Sequence, residues 1–136
     1  EKGYDVAIGS RNLRDSNVIT RQPFHRQLLG KAFPLLVRAL VLPGIQDSQC
    51  GFKLFRTAQA KRIVRRQTLE RFCFDVELLV IARRMGFTVR EVPVTWRDRE
   101  GSTVKLMRDS ASMFGDLWRI AYNRLAGRYE RGQHRR

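Results

Sequence analysis

The chain has 136 residues, enough for one hydrophobic core, and 43% of them are hydrophobic. Its 27 Lys and Arg against 13 Asp and Glu give a formal net charge of +14, so we expect an anionic partner such as nucleic acid, phosphate groups or an acidic membrane surface. The two cysteines, Cys50 and Cys73, have no metal-ligand spacing and form no disulfide framework, so we expect buried free thiols in a reducing compartment.

The first predicted element is a buried strand from Tyr4 to Gly9, where a run of Val, Ala and Ile ends at Gly-Ser. In open α/β sheets, ligands gather just outside the carboxyl ends of the strands, so Arg11 is placed at the usual position of a site. Residues 11–17 predict a polar loop. The chain starts almost directly on the strand, with no initiator Met and no signal peptide, which suggests a cut through a longer protein.

A long helix is predicted to begin at Pro23 and to end before Pro43-Gly44, because apolar residues recur between them at spacings of three and four. Pro34 lacks a backbone donor and is expected to kink or divide this helix. The longest apolar block is interrupted by Arg38 and is far shorter than the ~20 residues of a membrane-spanning helix. Two alternatives remain: a core helix, or a helix with one face on the sheet and another at a membrane surface.

The most informative segment begins at Asp47 and leads into a short predicted strand from Phe52 to Phe55. The pattern predicts a loop that enters a strand and places a carboxylate beside a cleft. Gly51 allows close approach of a backbone, and the side chains of Gln49 and Lys53 are long enough to reach phosphate or sugar hydroxyls. The alternative is a plain turn.

Three elements follow in the second half of the chain. A basic helix is predicted over Ala58 to Arg66, and an apolar helix begins at Phe74 and ends with two arginines and a glycine. Asp75 and Glu77 lie in its first turn, where the helix dipole favours negative charge. Alternation of valines with polar residues predicts a strand from Phe87 to Trp96.

The last predicted element is a helix from Thr103 to about Leu125, with one apolar stripe that includes Trp118. Residues 103–136 contain eight Lys or Arg and three acidic residues, the composition of an interfacial amphipathic helix with a basic tail. The alternative is a helix packed on its own domain with a basic end. We therefore divide the chain into residues 1–102 and an amphipathic, membrane-interfacial region over 103–136.

Four segments together resemble the inverting family 2 glycosyltransferases, especially those that load a sugar onto dolichyl or polyprenyl phosphate. They are Gly-Ser-Arg at 9–11, Pro-x-x-Arg at 23–26, Asp-Ser-Gln-Cys-Gly-Phe-Lys-Leu-Phe at 47–55 and Trp-x-x-x-x-Gly-Ser at 96–102. The run Phe-Asp-Val-Glu-Leu-Leu at 74–79 is similar to the dolichyl-phosphate glucosyltransferase branch. The resemblance implies an α/β fold of the Rossmann-like nucleotide-diphospho-sugar transferase (GT-A) type, truncated to its acceptor-side half.

The same resemblance assigns roles to charged residues. Arg11 and Arg26 match positions near the acceptor phosphate, which suits the planar, permanently charged guanidinium group. Arg97 and Arg99 are further candidate phosphate ligands. Asp47 matches the carboxylate close to the reacting centre, where a general base is the familiar assignment. Because a phosphate monoester has a second pKa of about 6 and is largely ionised at neutral pH, we expect Asp47 to position the acceptor or metal as much as to remove a proton.

Two glycines and three polar residues complete the predicted substrate loops. Gly101 and Ser102 belong to a loop that the resemblance predicts to close over substrate, and Gln49, Gly51 and Lys53 form the other loop. The family holds Mg²⁺ or Mn²⁺ with an Asp-x-Asp pair. That pair does not occur in this sequence. We therefore expect no metal ligand in this chain and a metal site elsewhere in the full enzyme.

The expected function is transfer of a hexose, glucose or mannose, from a nucleotide sugar to dolichyl or polyprenyl phosphate with inversion. The expected location is the cytoplasmic face of a membrane, and the isolated chain is expected to be inactive. One alternative is a basic nucleic-acid-binding module, although zinc-finger spacing, an RNP-like strand and a helix-turn-helix signature are missing from the sequence. A second alternative is a peripheral membrane adaptor without catalysis.

Overall fold

A computed structural model describes the backbone of residues 3–19, 24–71, 73–97 and 106–130, and their side chains apart from 24–30 and 106–110. Strands and helices are interspersed along these ranges, as in a mixed α/β protein. They are β1 (Val6–Ser10), β2 (Asn17–Val18), α1 (Phe24–Leu40), β3 (Lys53–Phe55), α2 (Thr57–Val64), α3 (Phe74–Arg84), β4 (Val89–Pro93), β5 (Thr95–Trp96) and α4 (Leu106–Leu125).

Strand β1 is the centre of a mixed three-stranded sheet in the order β3-β1-β4. It runs antiparallel to β3, with Val6 opposite Phe55, and parallel to β4, with Ile8 opposite Glu91. Strands β2 and β5 form a separate parallel pair. The fold is therefore mixed α/β, as predicted, and the carboxyl ends of β1 and β4 lie at the same edge of the sheet.

The core is built around α3. Its residues Val76, Leu79 and Ile81 are fully buried, and they share one cluster with Ile8 of β1 and Ile120 of α4. Each such side chain contributes roughly 1.5–3 kcal/mol on burial. Helix α4 is thus part of the same core as the sheet.

Both cysteines are buried free thiols, as the sequence predicts. Burial, helped by the negative charges of Asp116 and Asp75, raises the pKa of Cys73 to about 12. Because the thiolate is the nucleophile, this side chain is unreactive at neutral pH.

Glu77 of α3 is the centre of a buried polar network. Its carboxylate accepts hydrogen bonds from the backbone N–H groups of Thr68 and Leu69, both at 2.9 Å, and from the Thr68 hydroxyl at 2.6 Å. The Tyr129 hydroxyl donates to it at 2.9 Å. Burial and the charge of Glu77 raise the pKa of Tyr129, so the phenol stays protonated and able to donate. The first-turn position of Glu77 is as predicted, but its main contacts join α3 to the loop before it and to the turn after α4.

Two sequence-based boundaries are wrong. The predicted polar loop 11–17 ends in β2, whose backbone pairs with the distant strand β5. The single strand predicted over 87–96 is interrupted at Val94, and its two parts pair with different strands, β1 and β2. Helix α1 continues through Pro34, so it is not divided there, and Phe33 and Val37 on either side of the proline are both buried in the core. The alternative, a kink at Pro34, stays a prediction.

Close packing at the end of β1 requires glycine. A Cβ at Gly9 would lie 2.8 Å from Val94 Cγ1, 3.1 Å from Cys50 Sγ and 3.2 Å from Phe52 Cβ. The loops that carry Asp47 and Trp96 therefore approach the end of β1 closely.

The opposite face of the sheet is open in the part of the chain that the structure describes. Leu54 and Phe52 are more than half exposed there, and Tyr4 is also exposed. Large apolar side chains on an open sheet face are typical of a surface that another element covers. None of the described helices is long and apolar enough to cross a membrane.

Candidate active site

Arg11 and Asp47 form a two-point ion pair at the carboxyl end of β1. Arg11 Nε donates to Asp47 Oδ2 at 2.7 Å, and Arg11 Nη2 donates to Oδ1 at 2.9 Å. The backbone N–H of Arg11 also donates to Oδ2, at 3.0 Å. Both carboxylate oxygens are therefore engaged, in the side-by-side geometry that fixes a guanidinium plane most firmly.

The Asp47 carboxylate is ionised and almost completely buried, with 1% of the residue exposed. Burial alone raises the pKa of its carboxyl, but the hydrogen bonds and charge of Arg11 outweigh this effect, and the net pKa is lowered. A lowered pKa in the folded state means that the pair stabilises the fold above about pH 4, and that this stability is lost as the pH falls further. An oxygen held in this way is a weak proton acceptor at neutral pH.

Arg11 keeps one edge of its guanidinium outside the ion pair. Its side chain is 31% exposed, and its hydrogen bonds within the described part of the chain all go to Asp47 through the Nε and Nη2 edge or the backbone. Its guanidinium carbon lies 5.3 Å from the centre of the Trp96 ring. The group is thus held on one edge by a carboxylate and on one face by an aromatic ring, and its Nη1 atom donates no hydrogen bond to the described residues.

Glu91 of β4 holds the loop that carries Asp47. Its carboxylate accepts the backbone N–H of Gln46 at 2.9 and 3.0 Å, and Oε1 accepts the N–H of Asp47 at 2.9 Å. The Asn12 side chain donates to the carbonyl of Gln46 at 3.1 Å. The loop is therefore fixed from both the β1 and the β4 side.

The residues of the predicted substrate loop that follow Asp47 are placed differently from one another. Gly51 is exposed and Gln49 is half-buried. The Lys53 side chain is only 8% exposed, and its ammonium group donates to the carbonyl of Cys50 and to Asp75 at 3.2 Å. Lys53 is close enough for its charge to help lower the pKa of Asp47, but its hydrogen bonds are internal.

The remaining predicted site residues divide into two groups. Arg97 directly follows Trp96 and is exposed. Arg99, Gly101 and Ser102 lie outside the described residues. The backbone of Arg26 is in α1, and its side chain also lies outside the described part.

Sequence reasoning missed the roles of Glu91 and Trp96. In the sequence, Trp96 is only a motif residue, and Glu91 is one of the polar residues of the strand predicted over 87–96. The strand register offers a signal for Glu91: it is in phase with Val89, and both pair with the core-facing positions of β1. An acidic residue in phase with core positions indicates a specific hydrogen-bonding partner.

An open groove of about 810 Å³ lies beside the Gln46 and Glu91 contact. Arg14, Arg83 and Arg90 contribute to its lining. Within the described ranges, no group of three or more His, Cys, Asp or Glu residues is arranged to hold a metal ion.

Comparison with known proteins relates the chain to one enzyme class. It is 37% identical over 123 residues to a dolichyl-phosphate beta-glucosyltransferase of Dictyostelium discoideum, a match that covers 90% of this chain and 38% of the relative. The human enzyme of the same name is 37% identical over 131 residues, with 96% of this chain and 40% of the relative covered. The enzyme of Saccharomyces cerevisiae is 36% identical over 125 residues, with 91% and 37% covered.

The chain thus spans about two fifths of the length of these curated relatives. No family model matches it, and no solved structure gives a significant match. The predicted resemblance to the dolichyl-phosphate glucosyltransferase branch of the family 2 glycosyltransferases is confirmed.

Proposed function

We propose that this chain, which is homologous to about two fifths of the dolichyl-phosphate beta-glucosyltransferases, is the acceptor-binding part of an enzyme that transfers glucose from a nucleotide sugar to dolichyl phosphate. The observation that carries the proposal is the Arg11 guanidinium, which is oriented by Asp47 and Trp96 and has one edge left to bind an anion. A lipid phosphate is an anion that such an edge can hold with paired, charge-assisted hydrogen bonds.

In the proposed reaction, an ionised phosphate oxygen of the acceptor attacks the anomeric carbon of the sugar. The bond between that carbon and the nucleotide diphosphate breaks on the opposite face, and the diphosphate leaves with the bonding electrons. A phosphate monoester with a second pKa of about 6 needs no base for this attack at neutral pH. Arg11 orients the attacking group, and Asp47 acts through Arg11 as a positioning residue.

The donor half of the site is proposed to lie outside this chain. A divalent metal, expected as Mg²⁺ or Mn²⁺, would neutralise the leaving diphosphate there, and no step is assigned to it in this chain. The open apolar sheet face at Leu54 and Phe52 supports a larger GT-A domain in which further segments cover the sheet.

The proposed activity is tested with the complete protein and a panel of UDP- and GDP-linked glucose and mannose. We expect transfer of labelled glucose to dolichyl phosphate, no transfer to dolichol, and no turnover by the 136-residue chain alone. Transfer of mannose in place of glucose would contradict the proposed sugar. Absence of any transfer to dolichyl phosphate would contradict the proposed function.

A membrane-facing surface on α4 and α1 is also part of the proposal. Trp118, Tyr122 and Leu125 are 60% or more exposed and, at spacings of four and three, lie on one face of α4. Leu35 of α1 is exposed as well, and Arg128 packs over the Tyr122 ring at 5.3 Å. Exposed aromatics beside arginines are typical of helices that lie in an anionic membrane interface.

The membrane contact predicts that Trp118 enters lipid. In the 136-residue chain with Trp96→Phe, which leaves Trp118 as the one tryptophan, anionic vesicles should shift its emission to the blue, and brominated lipids should quench it. Replacing Trp118 with alanine in the otherwise unchanged chain should weaken vesicle binding about tenfold, because its apolar area is lost from the interface.

Val64→Ala is the matched control, because Val64 is an exposed apolar residue of α2. We expect this variant to bind vesicles like the unchanged chain, and high salt to weaken binding in both. Emission that does not respond to vesicles would contradict the membrane-facing assignment of α4.

A further inference from the structure

We propose that Glu91 is a positioning residue of the acceptor site, acting on Arg11 through the backbone and side chain of Asp47. The inference rests on the proposed function. It extends that function to a residue on a separate strand, which is predicted to control how well the acceptor phosphate is bound.

The contact between Glu91 and the loop is two-pronged. Both carboxylate oxygens accept the Gln46 N–H, and Oε1 also accepts the Asp47 N–H. Within the described residues, the N–H groups of Gln46 and Asp47 donate to Glu91 and to no other acceptor. The loop has no strand or helix ladder at this point, so Glu91 supplies the acceptors that a ladder would otherwise provide.

Glu91 is itself held in a rigid frame. It lies at the centre of β4, and it pairs with Ile8 of β1, a fully buried core residue. The connection runs from β4 to the backbone of Asp47, from the Asp47 carboxylate to Arg11, and from Arg11 to the proposed phosphate. The hydrogen bonds between Glu91 and the loop, and between Asp47 and Arg11, are 2.7–3.0 Å long.

Glu91 fixes the backbone from which the Asp47 side chain extends. Its carboxylate accepts the N–H groups of both Gln46 and Asp47. If Glu91 is lost, the N–H groups of Gln46 and Asp47 lose their acceptor. Asp47 is then free to rotate away from Arg11, and the guanidinium loses its orientation toward substrate.

The test is the effect of Glu91→Ala and Glu91→Gln on the kinetics of the complete protein. Glu91→Ala is expected to raise the KM for dolichyl phosphate about tenfold and to leave the KM for the nucleotide sugar unchanged. Glu91→Gln keeps one acceptor oxygen but loses the second one that the Gln46 N–H uses, so its KM for dolichyl phosphate should rise less than that of Glu91→Ala. Glu70→Ala, which removes an exposed glutamate, is the matched control and should behave like the unchanged protein.

Hydrogen exchange provides a second measurement that does not depend on turnover. In the complete protein, the amide protons of Gln46 and Asp47 should exchange at least about tenfold faster in Glu91→Gln than in the unchanged protein, while those of the β1–β4 ladder keep their protection. This measurement applies even if Glu91→Ala fails to fold.

The outcomes separate this inference from the proposed function. If Glu91→Ala folds and leaves both KM values unchanged, while Arg11→Gln raises the KM for dolichyl phosphate, the inference is wrong and the proposed site stands. Unchanged exchange at Gln46 and Asp47 in Glu91→Gln also contradicts the inference. If the unchanged protein transfers no sugar to dolichyl phosphate, the proposed function itself is wrong.

Discussion

Replacing Arg11 with glutamine in the complete protein is expected to raise the KM for dolichyl phosphate by about ten- to a hundredfold. A charge-assisted hydrogen-bonded contact contributes about 1.5–3 kcal/mol, and the glutamine amide carries no charge. Arg11→Lys should recover only part of this loss, because an ammonium group has no planar edge to present to both Asp47 and a phosphate. Steady-state kinetics with the donor held at saturation measure both effects.

Asp47→Asn is expected to produce the same defect by a different route. The carboxamide offers one acceptor oxygen in place of two, so the guanidinium is no longer fixed in its plane. Because Asp47 acts through Arg11, the double variant should be little worse than either single variant. Fully additive losses would contradict a shared role.

The pH dependence separates positioning from general-base catalysis. The ion pair lowers the pKa of Asp47, so this carboxylate does not change charge between pH 5 and 8. An acidic limb in kcat/KM near pH 6 should therefore reflect ionisation of the acceptor phosphate, and it should persist in Asp47→Asn. A large fall in kcat at unchanged KM for dolichyl phosphate would instead indicate that Asp47 removes a proton.

Glu77→Gln is expected to cause a large loss of stability. A glutamine has one NH₂ group in place of a carboxylate oxygen. If this NH₂ group takes the place of Oε2, it faces the N–H groups of Thr68 and Leu69, and these buried donors lose their acceptor. If it takes the place of Oε1, the hydroxyls of Thr68 and Tyr129 lose theirs. Unsatisfied buried donors cost about 1–3 kcal/mol each, against a typical total stability of 5–15 kcal/mol. We therefore expect the free energy of unfolding to fall by about 3 kcal/mol.

Urea denaturation of the 136-residue chain measures this loss. Glu70→Gln is the control, since Glu70 is exposed in the same loop and its replacement should change stability by less than about 0.5 kcal/mol. Tyr129→Phe removes one donor from the network and should cost about 1 kcal/mol. Equal stabilities of Glu77→Gln and Glu70→Gln would show that the buried network does not hold α3, the preceding loop and the terminal turn together.

The local pattern of the sequence was sufficient to predict the helices and the main strands. Periodic apolar residues located α1, α3 and α4, and the Gly-Ser end of the first strand placed Arg11 at the carboxyl edge of the sheet, where it contacts Asp47. These features depend on residues close together in the chain. Sequence patterns report such short-range preferences well.

The features that the sequence did not reveal depend on distant partners. Strand β2 has two residues and exists because β5 pairs with it, about 78 residues further along the chain. The strand is interrupted at Val94 because its pairing partner changes there, from β1 to β2. The pairing of Arg11 with Asp47, and the placement of Glu91 behind the loop, join three segments, and no local pattern encodes which donor meets which acceptor.

Lys53 illustrates how tertiary contacts change the meaning of a motif residue. In the sequence it is a cation beside a glycine, which suits a phosphate ligand. In the fold, its ammonium group is nearly buried between the Cys50 carbonyl and Asp75, where it stabilises the loop that carries Asp47. Its charge acts on the site from a distance, while the exposed edge of Arg11 faces outward.

The most direct test of the proposed acceptor site is the equilibrium affinity of the complete protein for dolichyl phosphate compared with dolichol. The unchanged protein should prefer the phosphorylated lipid by at least about tenfold, and Arg11→Gln should remove most of that preference without changing the affinity for dolichol. A preference for dolichyl phosphate that is the same in both proteins would contradict the assignment of Arg11 to the lipid phosphate.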